Sequence, residues 1–77
     1  MKKDILKSVE FAKYENGVKL VKNVLLVKVE DGTYETNTAY FENGKISEQF
    51  SFANDDYDKA VRLFKDEIEG GCGFMGV

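Results

Sequence analysis

Few side chains in this 77-residue chain have the chemistry that catalysis or metal binding requires. There is no histidine, so the commonest general base and metal ligand is missing. The single cysteine, Cys72, lies in a glycine-rich segment without the cationic or helix N-terminal setting that activates a thiol. One cysteine can form neither an intramolecular disulfide nor a cysteine-based metal site. The sequence therefore predicts a protein that is not an enzyme, with no catalytic residue, cofactor or metal.

The densest group of carboxylates lies in the segment Asn54-Asp55-Asp56-Tyr57-Asp58. It lacks the glycine and the distal glutamate of an EF-hand calcium loop. Asn54 or Asp55 instead suits the N-cap of a helix, and the aspartates place negative charge at the positive end of the helix dipole. The segment therefore predicts the start of a helix rather than a calcium site.

An apolar stripe with helical spacing follows these carboxylates. Its members are Tyr57, Val61, Phe64 and Ile68. The pair Gly70-Gly71 is typical of a helix end. We therefore predict a helix over residues 55–69, followed by a flexible glycine-rich tail over residues 70–77 that contains Cys72.

Three dipeptides, Asn16-Gly17, Asp31-Gly32 and Asn43-Gly44, are typical of β-hairpin turns. They divide the first part of the chain into strand-like segments rich in β-branched and aromatic residues. The segments are residues 5–14, 18–30, 33–41 and 45–52. With the helix they predict one α+β domain over residues 1–69, a four-stranded antiparallel meander with a C-terminal helix on one face (ββββα). Residues 3–14 also fit a helix that ends at Gly17, and this alternative stays open.

The alternation of side chains along a strand selects the loop lengths. Three-residue loops at residues 15–17 and 42–44, and a two-residue loop at Asp31-Gly32, gather most hydrophobic side chains on one face. This predicted helix-facing set is Ile5, Val9, Phe11, Val21, Leu25, Val27, Val29, Tyr34, Tyr40, Ile46, Phe50 and Phe52. The helix is expected to pack across this face.

The other face of the predicted sheet also carries apolar residues. One helix cannot cover both faces of four strands, and a contiguous apolar patch usually marks an interface. The predicted partner-binding residues on this outer face are Tyr14, Leu20, Val24, Leu26 and Phe41. An alternative is that the long second strand bends near Lys22-Asn23 and that these side chains are buried elsewhere in the domain.

Charge is distributed unevenly along the chain. Residues 1–28 carry seven lysines and three acids, net +4, whereas residues 29–58 carry eight acids and one lysine, net −7. Neither a turn nor a helix cap accounts for four of these acids: Glu30, Glu35, Glu42 and Glu48. They are expected to steer the protein towards a partner with a basic surface.

The lysines of the first half suggest a rival function, because single-strand binders combine basic grooves with stacking aromatic rings. The residues concerned are Lys13, Lys19, Lys22 and Lys28, which interleave with Phe11 and Tyr14. The net charge of −3 and the lack of arginine before Arg62 weigh against direct nucleic-acid binding.

No apolar run reaches the roughly 20 residues of a membrane helix, and no signal peptide is recognisable. A cytoplasmic location is expected.

In size, composition and predicted architecture the chain is similar to many short phage and mobile-element proteins, including some anti-CRISPR inhibitors. No residue role follows from this similarity. The leading hypothesis is a non-catalytic protein-interaction module, most concretely an inhibitor that occupies a basic surface of a nucleic-acid-handling host complex. One alternative is a homodimeric structural or accessory domain that packs through its outer sheet face. A further alternative is a weak single-stranded nucleic-acid binder.

Overall fold

A computed structural model describes the backbone of residues 2–74 and the side chains of residues 2–70. The described residues form four strands and one helix. These are β1 (Lys3–Glu15), β2 (Val18–Val29), β3 (Tyr34–Glu42), β4 (Lys45–Asn54) and α1 (Tyr57–Phe74). The strands form one antiparallel sheet in the order β1-β2-β3-β4, and the helix packs on one face, mainly on β2 and β3. The predicted ββββα fold is confirmed, and residues 3–14 are a strand rather than a helix.

The first and third hairpins both close with tight two-residue turns. Asn16 and Gly17 have φ angles of 54° and 81°, and Asn43 and Gly44 have φ angles of 50° and 84°. Two successive positive φ angles define the type I′ turn, whose twist matches that of the flanking strands. The three-residue loops predicted here are wrong, because asparagine adopts the left-handed conformation beside glycine.

The second hairpin closes with a three-residue loop, Glu30–Gly32, instead of the predicted two-residue loop. The Val29 N–H donates to the Thr33 carbonyl oxygen at 2.9 Å, so the strand ladder ends one pair earlier than predicted. The Asp31 carboxylate accepts hydrogen bonds from the Thr33 hydroxyl at 2.6 Å and from the Thr33 N–H at 3.0 Å. These two bonds hold the pKa of Asp31 below its ordinary value. They also fix the loop at three residues.

The changed loop lengths reverse which side chains of β2 face the helix. The pairing of β1 with β2 and the pairing of β2 with β3 are each shifted by one residue from the predicted registers. Because a shift of one residue moves a strand's side chains to the opposite face, the two shifts reverse β2 and leave the other strands oriented as predicted. Val24 and Leu26, both 0% exposed, therefore lie under the helix in place of Val21 and Leu25. Val27 and Val29 were also predicted to face the helix and lie on the other face for the same reason, each only 3% exposed.

Two β-bulges cause the remaining differences from the predicted helix-facing set, at Ile5 and Ile46. Leu6 is an extra residue in β1, and Ser47 is an extra residue in β4. A bulge reverses the side-chain alternation beyond it. As a result, Ile5 pairs with Val27 and Ile46 pairs with Phe41, all on the face away from the helix. The helix-facing set that the structure retains is Val9, Phe11, Tyr34, Tyr40, Phe50 and Phe52.

The core is small and lies between the middle strands and the helix. Val24 and Leu26 pack against Ala60 and Phe64, with other apolar side chains of β1, β3 and α1 around them. The Thr36 hydroxyl donates to the Ala60 carbonyl oxygen at 3.1 Å, whereas the equally buried Thr38 hydroxyl has no hydrogen-bond partner among the described residues.

The helix begins one residue after its cap. The Asp56 carboxylate accepts a hydrogen bond from the Asp58 N–H at 2.9 Å, so Asp56 is the N-cap, not Asn54 or Asp55 as predicted. Along the described chain, no helix has the length and apolar character needed to cross a bilayer.

The helix continues through Gly70 and Gly71, where the sequence predicts its end. Lys22 approaches this turn from β2, and a methyl group at Gly70 would lie only 3.3 Å from the Lys22 ammonium. Glycine thus makes room for a buried side chain here rather than ending the helix. The predicted tail over residues 70–77 begins inside the helix, and the Cys72 side chain and residues 75–77 lie outside the described part.

Lys22 is the most buried charged side chain of the described chain, at 2% exposure. Its ammonium donates to the Glu67 carbonyl oxygen at 3.0 Å and lies 3.5 Å from the Glu67 carboxylate. It also lies 5.4 Å from the centre of the Tyr40 ring. These contacts compensate for the removal of the charge from water and attach the end of the helix to β2.

We expect Lys22→Met to leave the free energy of unfolding unchanged or to raise it. Replacing a buried ion by an apolar side chain of similar volume is often neutral or stabilising, by about 1–4 kcal/mol. Glu67→Ala is expected to lower it by about 1 kcal/mol, because the ammonium loses a partly exposed carboxylate partner but keeps the carbonyl. Urea unfolding at neutral pH measures both. A loss above about 2 kcal/mol in Lys22→Met would show that the ammonium itself stabilises the fold.

Candidate protein-interaction surface

The face of the sheet away from the helix, called the open face below, carries an apolar row that crosses all four strands. Ala12 lies opposite Val21, Val21 opposite Phe41, and Phe41 opposite Ile46. These four residues are called the apolar row. Val21 and Phe41 are half-buried by their neighbours, and Ile46 is 57% exposed. No element of the described chain covers the row.

Polar side chains surround the apolar row. Tyr14, 75% exposed, lies on the same face beyond Ala12 and opposite Lys19. On the other side of the row the ladders place amide side chains from the three remaining strands. An open depression of about 580 Å³ lies on this side. Its lining includes Asn23, Leu25, Asn37, Ala39, Phe41 and Gln49.

The structure places the five predicted apolar binding residues on different faces. Phe41 and Tyr14 lie on the open face, as predicted. Val24 and Leu26 are wrong, because they form the core under the helix. Leu20 is wrong as well, since it shares their side of β2 and lies opposite Glu42, half-buried. All three errors have one cause, the reversal of β2.

Sequence reasoning placed six apolar residues of the open face on the helix side: Ile5, Val21, Leu25, Val27, Val29 and Ile46. Three of them form or adjoin the candidate site. Val21 and Leu25 were assigned to the core because β2 was placed the wrong way round, and Ile46 was assigned there because the bulge at Ser47 has no evident sequence signal. A two-residue turn at Asn16-Gly17 would have given the correct β1–β2 register, which is one of the two registers that orient β2. Asn-Gly is the strongest type I′ signal.

The four predicted acidic residues do not form one cluster. Glu35 lies on the open face, where its carboxylate is 3.2 Å from the Lys3 ammonium. The Glu30 carboxylate accepts a hydrogen bond from the Lys2 N–H at 3.1 Å. Both therefore have local structural roles at the end of the sheet where β1 begins.

Glu42 and Glu48 lie next to the apolar row. In the β3–β4 ladder they occupy the positions on either side of the Phe41–Ile46 pair, and both are exposed. Their side chains start on the helix side, but both lie at the rim of the sheet, Glu48 on its outermost strand. Neither has an ion-pair partner among the described residues.

The lysines and aromatic rings of the first hairpin do not line one groove. Lys22 is buried, and Lys13 and Lys28 share its side of the sheet, with Lys13 3.4 Å from the Glu15 carboxylate. Lys19 and Tyr14 lie on the open face instead. The arrangement that single-strand binding needs, aromatic rings along a continuous basic track, is therefore divided between two faces.

Comparison of the chain with protein-family models, with curated proteins and with solved structures found no match. The evidence for a function is therefore the surface itself. On the described chain its most distinctive feature is the apolar row on the face that α1 leaves uncovered.

Proposed function

We propose that this protein is a non-catalytic interaction module that binds another protein through the open face of its sheet. One observation carries the proposal: the apolar row extends without interruption from β1 to β4 on the face opposite the helix. Within residues 2–74 there is no second layer to cover it. A contiguous exposed apolar surface on a small protein is typical of an interaction site.

The chemistry of the open face is that of an interface centre with its rim. Phe41 lies between Val21 and Ile46 and supplies a large, rigid anchor. Aromatic anchors of this kind carry much of the binding energy in protein complexes. The amides of Asn23 and Gln49 lie diagonally next to the anchor and can exchange hydrogen bonds with a partner.

The charge of the protein favours a partner with a basic surface. The net charge is −3, and Glu42 and Glu48 are exposed carboxylates at ladder positions that flank the apolar row, with side chains that start on the helix side. Complementary charges accelerate encounter and suppress wrong partners. Basic surfaces of this kind occur where proteins hold nucleic acids, because they neutralise phosphates.

The most concrete form of the proposal is an inhibitor of the kind that phages and mobile elements use, anti-CRISPR proteins included. It would occupy the nucleic-acid-binding surface of a host complex in the cytoplasm and exclude the nucleic acid by taking its place. Such a function needs no catalytic group, only a stable fold and a complementary surface.

The test removes the centre of the apolar row. We expect the double variant Phe41→Asp/Ile46→Asp to bind the partner, once identified by capture from the source cell, at least about 30-fold more weakly than wild type. The matched control is Leu6→Asp, which changes an exposed apolar residue at the β1 bulge. Calorimetry with purified partner measures all three. Unchanged affinity in the double variant would refute the proposed site.

The inhibitor form has its own test. Nucleic acid added to the purified complex should displace the protein, and raising the salt concentration should weaken the complex, since steering between exposed charges is screened. Glu42→Gln/Glu48→Gln should slow association more than it speeds dissociation. Binding of an oligonucleotide by the free protein at about 50 mM salt would instead favour the nucleic-acid alternative.

A further inference from the structure

The two outermost strands of the sheet differ in how they are protected against pairing. Six of the thirteen residues of β1 are charged, and the strand has a bulge at Leu6. Charged side chains and bulges are the usual means by which edge strands avoid other strands. In β4 the bulge at Ser47 lies near one end, and the segment Gln49-Phe50-Ser51-Phe52-Ala53 beyond it has no charge and no proline. β4 therefore has an edge that is open to another strand.

The helix-facing side of β4 is also incompletely covered. The helix lies mainly over β2 and β3, and Phe52 at the margin is 50% exposed. The Phe50 ring lies between its neighbours, with its centre 5.8 Å from that of Phe52 and 6.4 Å from that of Tyr40. These three rings, called the aromatic strip, extend from β3 to the edge of the sheet beside the helix.

We propose that β4 pairs in antiparallel fashion with β4 of a second copy of this chain, with the two-fold axis at Ser51. In this register Phe50 lies opposite Phe52 of the second copy, and Phe52 opposite its Phe50. Gln49 lies opposite Ala53, so no like charges meet along the uncharged segment. An interface in which each residue meets its exchange partner is the isologous type of most homodimers.

The pairing joins two sheets into one of eight strands with both helices on the same face. Residues that pair directly share a face, so the two aromatic strips meet between the helices. Each strip gives the other the cover that it lacks in the single chain. The proposal thus accounts for both the uncharged edge and the exposed Phe52.

Charge complementarity at the ends of the paired strands supports a second copy rather than an unrelated peptide. The register sets Glu48 of each copy opposite Asn54 of the other and carries Lys45 past the end of the other copy's β4, towards its Asp55 and Asp56, so that the ammonium lies between carboxylates of both copies. Lys45 lies on the helix side, because its ladder partner is Glu42. The chain after β4 turns towards the same side to begin α1. By symmetry the favourable contact forms twice.

This inference does not rest on the proposed function, since it uses the β4 edge and the helix side rather than the apolar row. Sedimentation of the full chain from about 1 to about 100 µM, the range in which modest dimers dissociate, should show a monomer–dimer equilibrium. A strict monomer throughout this range would overturn the inference.

Charge at the two-fold axis gives the sharper test. In the proposed register residue 51 meets itself, so Ser51→Lys and Ser51→Glu should each raise the dimer dissociation constant at least about tenfold. An equimolar mixture of the two variants should regain the dimer as a mixed species. The matched control is Ser8→Lys, which changes an exposed serine on the other edge strand and should dimerise like wild type.

Two further outcomes would overturn the inference. A dimer that neither charge at residue 51 weakens would do so and would leave the proposed function intact. A dimer that Phe41→Asp abolishes would place the contact on the open face and would count against the proposed function as well. Circular dichroism of every variant confirms that the monomer is folded.

Discussion

Replacing Leu26 with aspartate is expected to unfold the domain, whereas the same replacement at the neighbouring Leu25 is expected to leave it folded. Leu26 is 0% exposed and packs in the cluster with Phe64. Loss of a buried leucine side chain alone costs about 2–5 kcal/mol, and an unpaired carboxylate in the same place adds to that loss. The total exceeds the roughly 5 kcal/mol expected for so small a domain.

Leu25 is the matched control for this prediction. It lies opposite Asn37 on the open face, where an aspartate stays in contact with water. We expect a loss of about 1 kcal/mol, mainly from the poor strand propensity of aspartate. Thermal unfolding followed by circular dichroism measures both variants. The reverse pattern, Leu25→Asp unfolded and Leu26→Asp folded, would show that β2 faces the other way.

Phe64→Ala is expected to lower the free energy of unfolding by about 3–5 kcal/mol. Phe64 is the largest side chain of the buried cluster and packs between the helix and the middle strands, so its removal leaves a cavity that the sheet cannot close. The control is Leu63→Ala, half-buried on the same helix, for which about 1 kcal/mol is expected. Urea unfolding, analysed with the same m-value for both variants, measures the two losses of unfolding free energy. Equal losses would mean that the helix packs through a different side.

The two proposals have a joint consequence. In the proposed dimer both open faces lie on the same side of one continuous sheet. Two apolar rows on one rigid body would let the dimer engage a symmetric or repeated partner twice, which raises the overall affinity without a new contact. Ser51→Lys alone should then capture such a partner more weakly than its equimolar mixture with Ser51→Glu, in which the dimer forms again.

The architecture was predictable because its signals are local. Three turn dipeptides set the strand boundaries, and the change from alternating to helical periodicity after Ala53 located the helix. Phe41 and Tyr14 were placed on the correct face because β1 and β3 were oriented correctly. These features depend on residue type and spacing alone.

The orientation of β2 was not predictable from the same pattern. It depends on whether each adjoining loop has two or three residues, and hydrogen bonds decide that length. The bonds from Thr33 to Asp31 are an example, because they accompany the three-residue loop that takes Glu30 out of the strand. β2 has apolar side chains on both faces, so either orientation gathers a plausible core. The observed orientation buries Lys22, whose partner Glu67 lies on the helix, and the alternation of apolar residues does not pair these two.

The end of the helix and the two bulges were also not predictable from the sequence pattern. Gly70 resembles a stop signal, yet it lies inside the helix, close to the ammonium of a lysine that is distant in the sequence. That contact is tertiary, and a pattern of residue types does not contain it. The extra residues Leu6 and Ser47 have side chains that fit an ordinary strand.

The most direct test of the open face is the set of nuclear Overhauser contacts that β2 makes in solution. The apolar row is uncovered only because β2 directs Val24 and Leu26 to the helix. We therefore expect contacts from the methyl groups of Val24 and Leu26 to the Phe64 ring, and from the Val21 methyl groups to the Phe41 ring. Contacts from Val21 and Leu25 to Phe64 would contradict this, because the row would then be buried and the binding surface lost.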